Sequence, residues 1–389
     1  MKFKTLFFVI AVISSCTNYK SREEIYSIQG SNQFYKIITK NNINPSSNCI
    51  RYFQNNNNKE WLFYENRDLN EIIIYKFPEG EIEKRIKFEK KGPNGIGSLR
   101  GMHIHNLDSI FLFSSTHIHN FFLTDTAGTI RKKYKVKPVE GKEISPCINP
   151  MSSGLFYNEA IVRNNIINFS TYYPFLNKDN INKKLQKEFI DFSFNLSSNK
   201  IINTSFYPKF NTETNNFLFI FDRTLNQDEH IYSFRYLDSI FIKKPNNKER
   251  VYTVKNCKSK YRKKAMDMGD ITSPIIQQMA HDVEHPHYLS IIYDKYRNCT
   301  YRFFYPGVEL REDEDPRKMF RNRKKFSIMI LNEDLNVVGE TMMPEKTYNP
   351  KMSFIAEDGL YLALHCDHPK YNPDSLTFER IDLNPINKN

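Results

Sequence analysis

The patterns that usually name an enzyme are missing from this chain of 389 residues. It has no phosphate-binding loop, no H-E-x-x-H and no calcium-loop pattern, which removes the commonest routes to nucleotide, zinc-peptidase and EF-hand chemistry. Gly95-x-Gly97-x-x-x-Gly101 misses the dinucleotide fingerprint by one residue and leads into a strand, so it reads as a loop. Ser98 follows Gly97 directly and lacks the strand–turn–helix setting of a nucleophile elbow. Cysteine is scarce, with 6 in all, and no C-x-x-C or zinc-type spacing occurs. With Cys16 set aside, Cys49, Cys147, Cys257, Cys299 and Cys366 remain, an odd number that excludes a complete disulfide framework. Cys49, Cys299 and Cys366 lie in apolar, strand-like stretches where a small buried thiol is the default; one disulfide stays open. Helical spacing is equally scarce: Lys183 to Ile190 is its best candidate, as loop or short helix. No cofactor or metal is expected from these patterns.

What is present begins at the first residues. Lys2 and Lys4 precede the apolar run Leu6 to Ile13, the layout of a secretory signal peptide. The run is too short to cross a bilayer, which takes roughly 20 apolar residues. Ile13-Ser14-Ser15-Cys16 then reads as a lipobox: an aliphatic residue, two small ones that suit a peptidase pocket, and a thiol to carry diacylglycerol. Acyl chains contribute about 0.8 kcal/mol per buried CH₂, so several together anchor a protein durably. The alternative is an ordinary signal peptide with a stray cysteine. The expected organisation is a signal peptide over 1–15, a polar tether over 16–32 and one folded domain over 33–384. The expected address is the bacterial cell envelope, membrane-bound through lipid on Cys16. Which membrane and which leaflet stay open.

Lysine and arginine outnumber acidic residues, giving a formal charge of +12. A basic surface favours acidic partners, such as an anionic glycan or an acidic protein. An envelope address argues against nucleic acid. The basic runs Arg131-Lys132-Lys133, Lys258 to Lys264 and Arg321 to Lys325 read as solvated loops or strand edges, where lysine also blocks edge-to-edge pairing.

Self-comparison carries the fold. Leu107-Asp108-Ser109-Ile110-Phe111 recurs letter for letter as Leu237-Asp238-Ser239-Ile240-Phe241, with an echo at Glu357-Asp358-Gly359-Leu360-Tyr361. Each couples an acidic turn residue to an apolar strand, as the second strand of a hairpin begins. Equivalents at Lys59-Glu60-Trp61, Asn164-Asn165-Ile166 and Pro286-His287-Tyr288 make six units, each of four short strands. The second unit reads as Met102–Ile104, Ser109–Phe113, Asn120–Thr124 and Thr129–Val136, with a turn at Asp125-Thr126-Ala127-Gly128. Apolar residues on both sides of the strands, and 31 Phe with 23 Tyr, suit sheets buried on both faces. The expected fold is therefore all-β, a six-bladed propeller of four-stranded blades; the competing architecture is a pair of β-sandwiches. The first unit begins near Cys49, while Met352 to Leu383 supplies only three strands. Gln33–Thr39 is spare, and it is expected to complete the last blade and remove the open edge.

The lipobox, the Gly92-Pro93-Asn94-Gly95 approach loop, the Leu-Asp-Ser-Ile-Phe copies and Tyr301-Arg302-Phe303-Phe304 resemble a family of six-bladed, TolB-like propeller lipoproteins known only as a domain of unknown function. The resemblance covers nearly the whole mature chain. It implies a fold and an address, and it carries over no catalytic residue.

Histidine is the suggestive residue. Nine of the 10 cluster: His103 with His105, His117 with His119, His281 with His285 and His287, and His365 with His368. Alternate residues on a strand point to one face, so an H-x-H pair can chelate a metal. Units two and five should face each other across the ring. That makes His103, His105, His281, Asp282, Glu284, His285 and His287 candidates for a shared binding mouth; the plainer reading is polar turns with no common site. Two functions stay open. One is a non-catalytic binding or scaffold lipoprotein for a glycan, peptide or protein; the other is an envelope hydrolase or lyase at the channel mouth. The lack of a paired nucleophile and base favours the first.

Overall fold

The computed structural model describes residues 25–39, 49–139, 147–148, 152–153, 156–172, 187–209, 220–244, 250–267, 269–270 and 273–386. Cys16, the signal segment and most of the expected tether fall outside them. The described residues form six antiparallel sheets arranged as a ring of blades, and a further two-stranded sheet pairs Ser152–Ser153 with Phe156–Tyr157. From the innermost strand outward, blade 1 is Ile50–Gln54, Glu60–Asn66, Glu71–Lys76 and Ile82–Lys87. Blade 2 is Leu99–Asn106, Ser109–Ser114, Asn120–Thr124 and Ile130–Lys135. In blade 3 the inner edge is split between Cys147–Ile148 and Ile161–Arg163, both paired with Ile166–Tyr172; Phe189–Asn195 and Lys200–Phe206 follow. Blade 4 is Phe221–Asn226, Glu229–Phe234, Ser239–Lys243 and Thr253–Asn256. Blade 5 is His287–Asp294, Cys299–Tyr305, Ser327–Leu331 and Val337–Met342. Blade 6 combines Tyr348–Ala356, Gly359–Leu364 and Ser375–Pro385 with Tyr26–Ile38 as its outer strand.

The turns explain the pattern of asparagine. Asn164 and Asn165 hold φ of 47° and 63° between the paired residues Arg163 and Ile166, the two-residue turn that a right-twisted hairpin prefers. Asn tolerates this left-handed backbone better than most side chains. The buried apolar residues divide into six clusters, one in each gap between neighbouring blades. Phe354 and Tyr361, stacked at 4.9 Å, typify the filling between blades 6 and 1. No blade buries both its faces without the next.

Closure by the N-terminal strand holds, and the strand is longer than Gln33–Thr39. It starts at Tyr26, so Tyr26 to Gly30 of the expected tether pair with Ile381 to Pro385, and an irregularity follows before pairing resumes at Phe34. Polar composition hid this stretch, because Ser27 and Gln29 flank the buried Ile28 as an outer strand allows. The strand also hooks onto blade 5: Ile25 N–H donates to the Val338 carbonyl at 2.8 Å, and a Cβ at Gly339 would strike the Tyr26 carbonyl.

Three further expectations change. Leu107 opens a second strand, but its copy Leu237 opens a third, and Pro286 opens a first. Identical turn chemistry does not fix a strand's place in its blade. Residues 183–186 of the expected helical stretch lie outside the described residues, and Phe189 and Ile190 are strand. Among the described residues the helices are elsewhere: α1, Ile275–Glu284, between blades 4 and 5, and α2, Pro316–Arg321, within blade 5. Finally, Arg323 in the basic run Arg321 to Lys325 is 1% exposed rather than solvated.

The closing strand should carry the whole ring. Ile37 is fully buried between blades 6 and 1, so Ile37→Ala should cost about 3 kcal/mol. Urea denaturation should show this as a lowered midpoint in one transition, without separate release of a blade.

Candidate functional site

Each blade repeats one connectivity, so every inner strand starts at the same end of the ring and turns back at the other. His103 and His105 lie toward the turn end of their strand, before the hairpin at Asn106 and Ser109. His287 starts its strand, and α1 precedes it. Blades 2 and 5 are opposite each other, but the two histidine groups occupy different levels of the channel and form no shared mouth.

The blade 5 group is a clasp. Arg235, just past the second strand of blade 4, donates from Nη2 to Asp282 Oδ1 at 2.5 Å. Arg323, from the loop after α2, pairs with Asp282 Oδ2. His287 Nδ1 lies 2.9 Å from the His285 carbonyl, and its Nε2 lies 2.9 Å from Arg235 Nη2. A guanidinium only donates, so Nε2 accepts and the proton sits on Nδ1. Burial and Arg235 keep this ring neutral, well below the ordinary histidine range. Burial would push the Asp282 carboxyl up, but Arg235 and Arg323 outweigh it and hold it well below the ordinary range. Both oxygens of Asp282 and both nitrogens of His287 are thus engaged in joining α1, the α2 loop and blades 4 and 5. His281 and His285 stack at 3.7 Å, and Glu284 accepts from Leu310 N–H at 3.4 Å.

Nearer the turn end, His103 Nδ1 stands 3.9 Å from Glu159 Oε1, which is 3.6 Å from Arg51 Nε. Burial takes the His103 imidazole down to about 4, against the pull of Glu159. His105 is exposed. Among the described residues one further group, His365, Cys366 and Asp367, has metal-ligand atoms within 4.8 Å of each other. There His365 Nδ1 already accepts from Asp367 N–H at 3.1 Å. Cys49, Cys257 and Cys299 are buried, and Cys366 is exposed.

The remaining histidine, outside every sequence cluster, has the most site-like surroundings. His230 Nδ1 lies 3.2 Å from Asp191 Oδ2, across the gap between blades 4 and 3. Tyr232 donates to the same oxygen, and Arg223 Nη1 stands 3.6 Å away. Burial would raise the Asp191 carboxyl; His230 and Arg223 instead bring it down to about 2. His230 and Asp191 line a cavity of about 340 Å³ with Asn168, Ser193 and Asn203. Cavities of about 630 and 370 Å³ adjoin it and share Asp228 and Lys244, or Ile161 and Arg163, as walls. All three surround the hairpin turn Asn226 to Glu229 of blade 4, forming one trough on the turn end of blades 3 to 5. No sequence spacing signals it, because its walls come from separate blades.

The class defined by this geometry is the six-bladed β-propeller. The family model for a domain of unknown function (DUF4221) matches residues 17–342, and the chain belongs to that family. A DUF4221 protein of Bacteroides vulgatus superposes with a TM-score of 0.80 at 23% identity, over 94% of this chain and 100% of its own. A Bacteroides fragilis protein, named only as a candidate exported protein, gives 0.52 at 10% identity over 92% and 96%. No curated protein matches in sequence.

The clasp and the Asp191–His230 pair each predict a measurable change in stability. Asp282→Asn leaves two arginines buried without their counter-charge and should cost about 3–5 kcal/mol in urea denaturation. Asp191 has its folded value below its ordinary 3.8, so its contribution, about 2 kcal/mol, is complete above that value and lost as pH falls toward 2. Asp191→Asn should flatten the fall in stability over that window.

Proposed function

We propose that this protein is a lipid-anchored envelope lipoprotein whose propeller binds an extended segment of a partner protein without turning it over. The anchor rests on Lys2, Lys4, the apolar run and Ile13-Ser14-Ser15-Cys16, and the likeness to a candidate exported protein supports the address. The observation that carries binding over catalysis is the engagement of Asp282 and His287: each polar atom already serves the fold. The trough around Asn226 to Glu229 is the binding surface. Its charged walls are mixed, with Arg163, Lys244 and Lys255 among Asp228, Glu229 and Glu333, and aliphatic patches at Ile161, Ile202 and Leu225. That balance suits a polypeptide of mixed charge more than the anionic partner that the net charge suggests.

A hydrolase draws on one observation, the Asp191–His230 pair facing the cavity. An immobilised library of mixed-charge peptides, read by binding and by mass, separates the two. Binding with unchanged peptide mass is expected. Ile202→Trp, at a position 50% exposed on the cavity wall, should weaken it about tenfold, or ~1.4 kcal/mol. Cleaved peptides, with cleavage lost in His230→Ala, would establish the hydrolase. For the anchor, Cys16→Ala should move the folded protein from the membrane to the soluble fraction and abolish labelling by radioactive palmitate.

A further inference from the structure

With Lys351 in its ammonium form, the clasp would hold more positive charge than its carboxylates offset. Asp282 faces both Arg235 and Arg323, Asp222 also acts on Arg235, and His287 donates its proton to a carbonyl and adds no charge. Lys351, on the innermost strand of blade 6, belongs to the same electrostatic group: Arg323, Asp282, Arg235 and Arg321 all act on it. Its Nζ donates to the Phe320 carbonyl at 2.8 Å and rides over the Phe320 ring at 4.6 Å. No carboxylate pairs directly with it among the described residues. Burial first, and then Arg323, press its amine well below the ordinary lysine range, with Asp282 pulling the other way. The Nε–H groups of Arg235 and Arg323 are buried and have no acceptor, an arrangement that costs free energy if left so. Lys351 is half-buried on the channel-lining strand, whereas the Arg323 side chain is fully buried. An incoming group therefore meets Lys351 first.

We infer that the channel end at Lys351, backed by Arg235 and Arg323, is a binding site for an oxyanion group, a phosphate or a carboxylate. This site is independent of the trough, which lies at the other end of the channel, and it stands or falls separately. An anion beside Lys351 would supply the missing counter-charge, restore the ammonium form and offer acceptors to guanidinium N–H groups. The engaged clasp keeps the arginines oriented, so the site is preorganised.

The test uses the intact protein and inorganic phosphate, with acetate as second probe and sodium chloride at matched ionic strength as control. The rate of acetylation of Lys351 by acetic anhydride is followed by peptide mass spectrometry against exposed lysines such as Lys84. Phosphate or acetate should slow Lys351 alone, by about tenfold for each unit its amine is carried above the assay pH, and the ion that acts identifies the group. The same ion should raise the Tm of the wild type but not of Lys351→Met, which keeps the stem over Phe320. Equal slowing by chloride, or no slowing by either probe, would overturn the site. So would an undiminished thermal shift in Lys351→Met. The acetylation arm decides the matter even where that variant folds poorly.

Discussion

Everything in this molecule depends on the pairing of Tyr26–Ile38 with Ser375–Pro385, because a ring of sheets is stable only when its last gap is filled. Each apolar cluster is shared by two neighbouring blades. Opening one gap would expose two sheet faces and an unpaired edge, and the loss is not confined to one blade. The closing strand acts on both sides, with Ile28 in the cluster toward blade 5 and Tyr35 and Ile37 in the cluster toward blade 1. Gly339 is small where it must be, beneath the chain as it enters the ring.

Apolar filling does not fix the rotation of one blade on the next, and buried polar fasteners supply that. Arg302 of blade 5 reaches into the Leu237–Asp238 corner of blade 4, donating to the Leu237 carbonyl at 2.7 Å and the Asp238 carbonyl at 2.6 Å. Its guanidinium also lies 3.4 Å from the centre of the Tyr288 ring. The Asp282 clasp does the same for loops that have no sheet partner. Such groups are expensive to bury and add little net stability, but any other docking would leave a charge unpaired. This is why residues that resemble a catalytic set by type work here as joints.

The sequence made the architecture legible because propellers advertise themselves locally, through turn residues followed by β-branched and aromatic strands. Its errors have the same origin. The two Leu-Asp-Ser-Ile-Phe copies are alike as turns and differ as blade positions, since only the partner strands distinguish a second strand from a third. Helix α1 had a readable signal, with Ile275, Ile276, Met279 and Val283 on one helical face, which clustered histidines overshadowed. Site chemistry was least legible. Spacing along the chain grouped His281 with His287 correctly but could not show that Arg235 and Arg323 would consume Asp282. His230 stood alone in sequence, and only the meeting of blades 3 and 4 gives it Asp191.

Strand direction links the proposed anchor to the two proposed sites. Tyr26 pairs with Pro385, beyond the Ala356–Gly359 hairpin of blade 6. The chain therefore enters the ring at the end where every inner strand turns back, and this is the end that bears the trough. Residues 17–25 separate Cys16 from Tyr26, a reach of at most about 36 Å when fully extended. A lipid on Cys16 would thus hold the trough end near the membrane, within reach of a segment of another membrane-bound protein. Lys351 and the clasp would open at the far end of the channel, toward whatever small anions the compartment holds. The two ends would then meet different molecules.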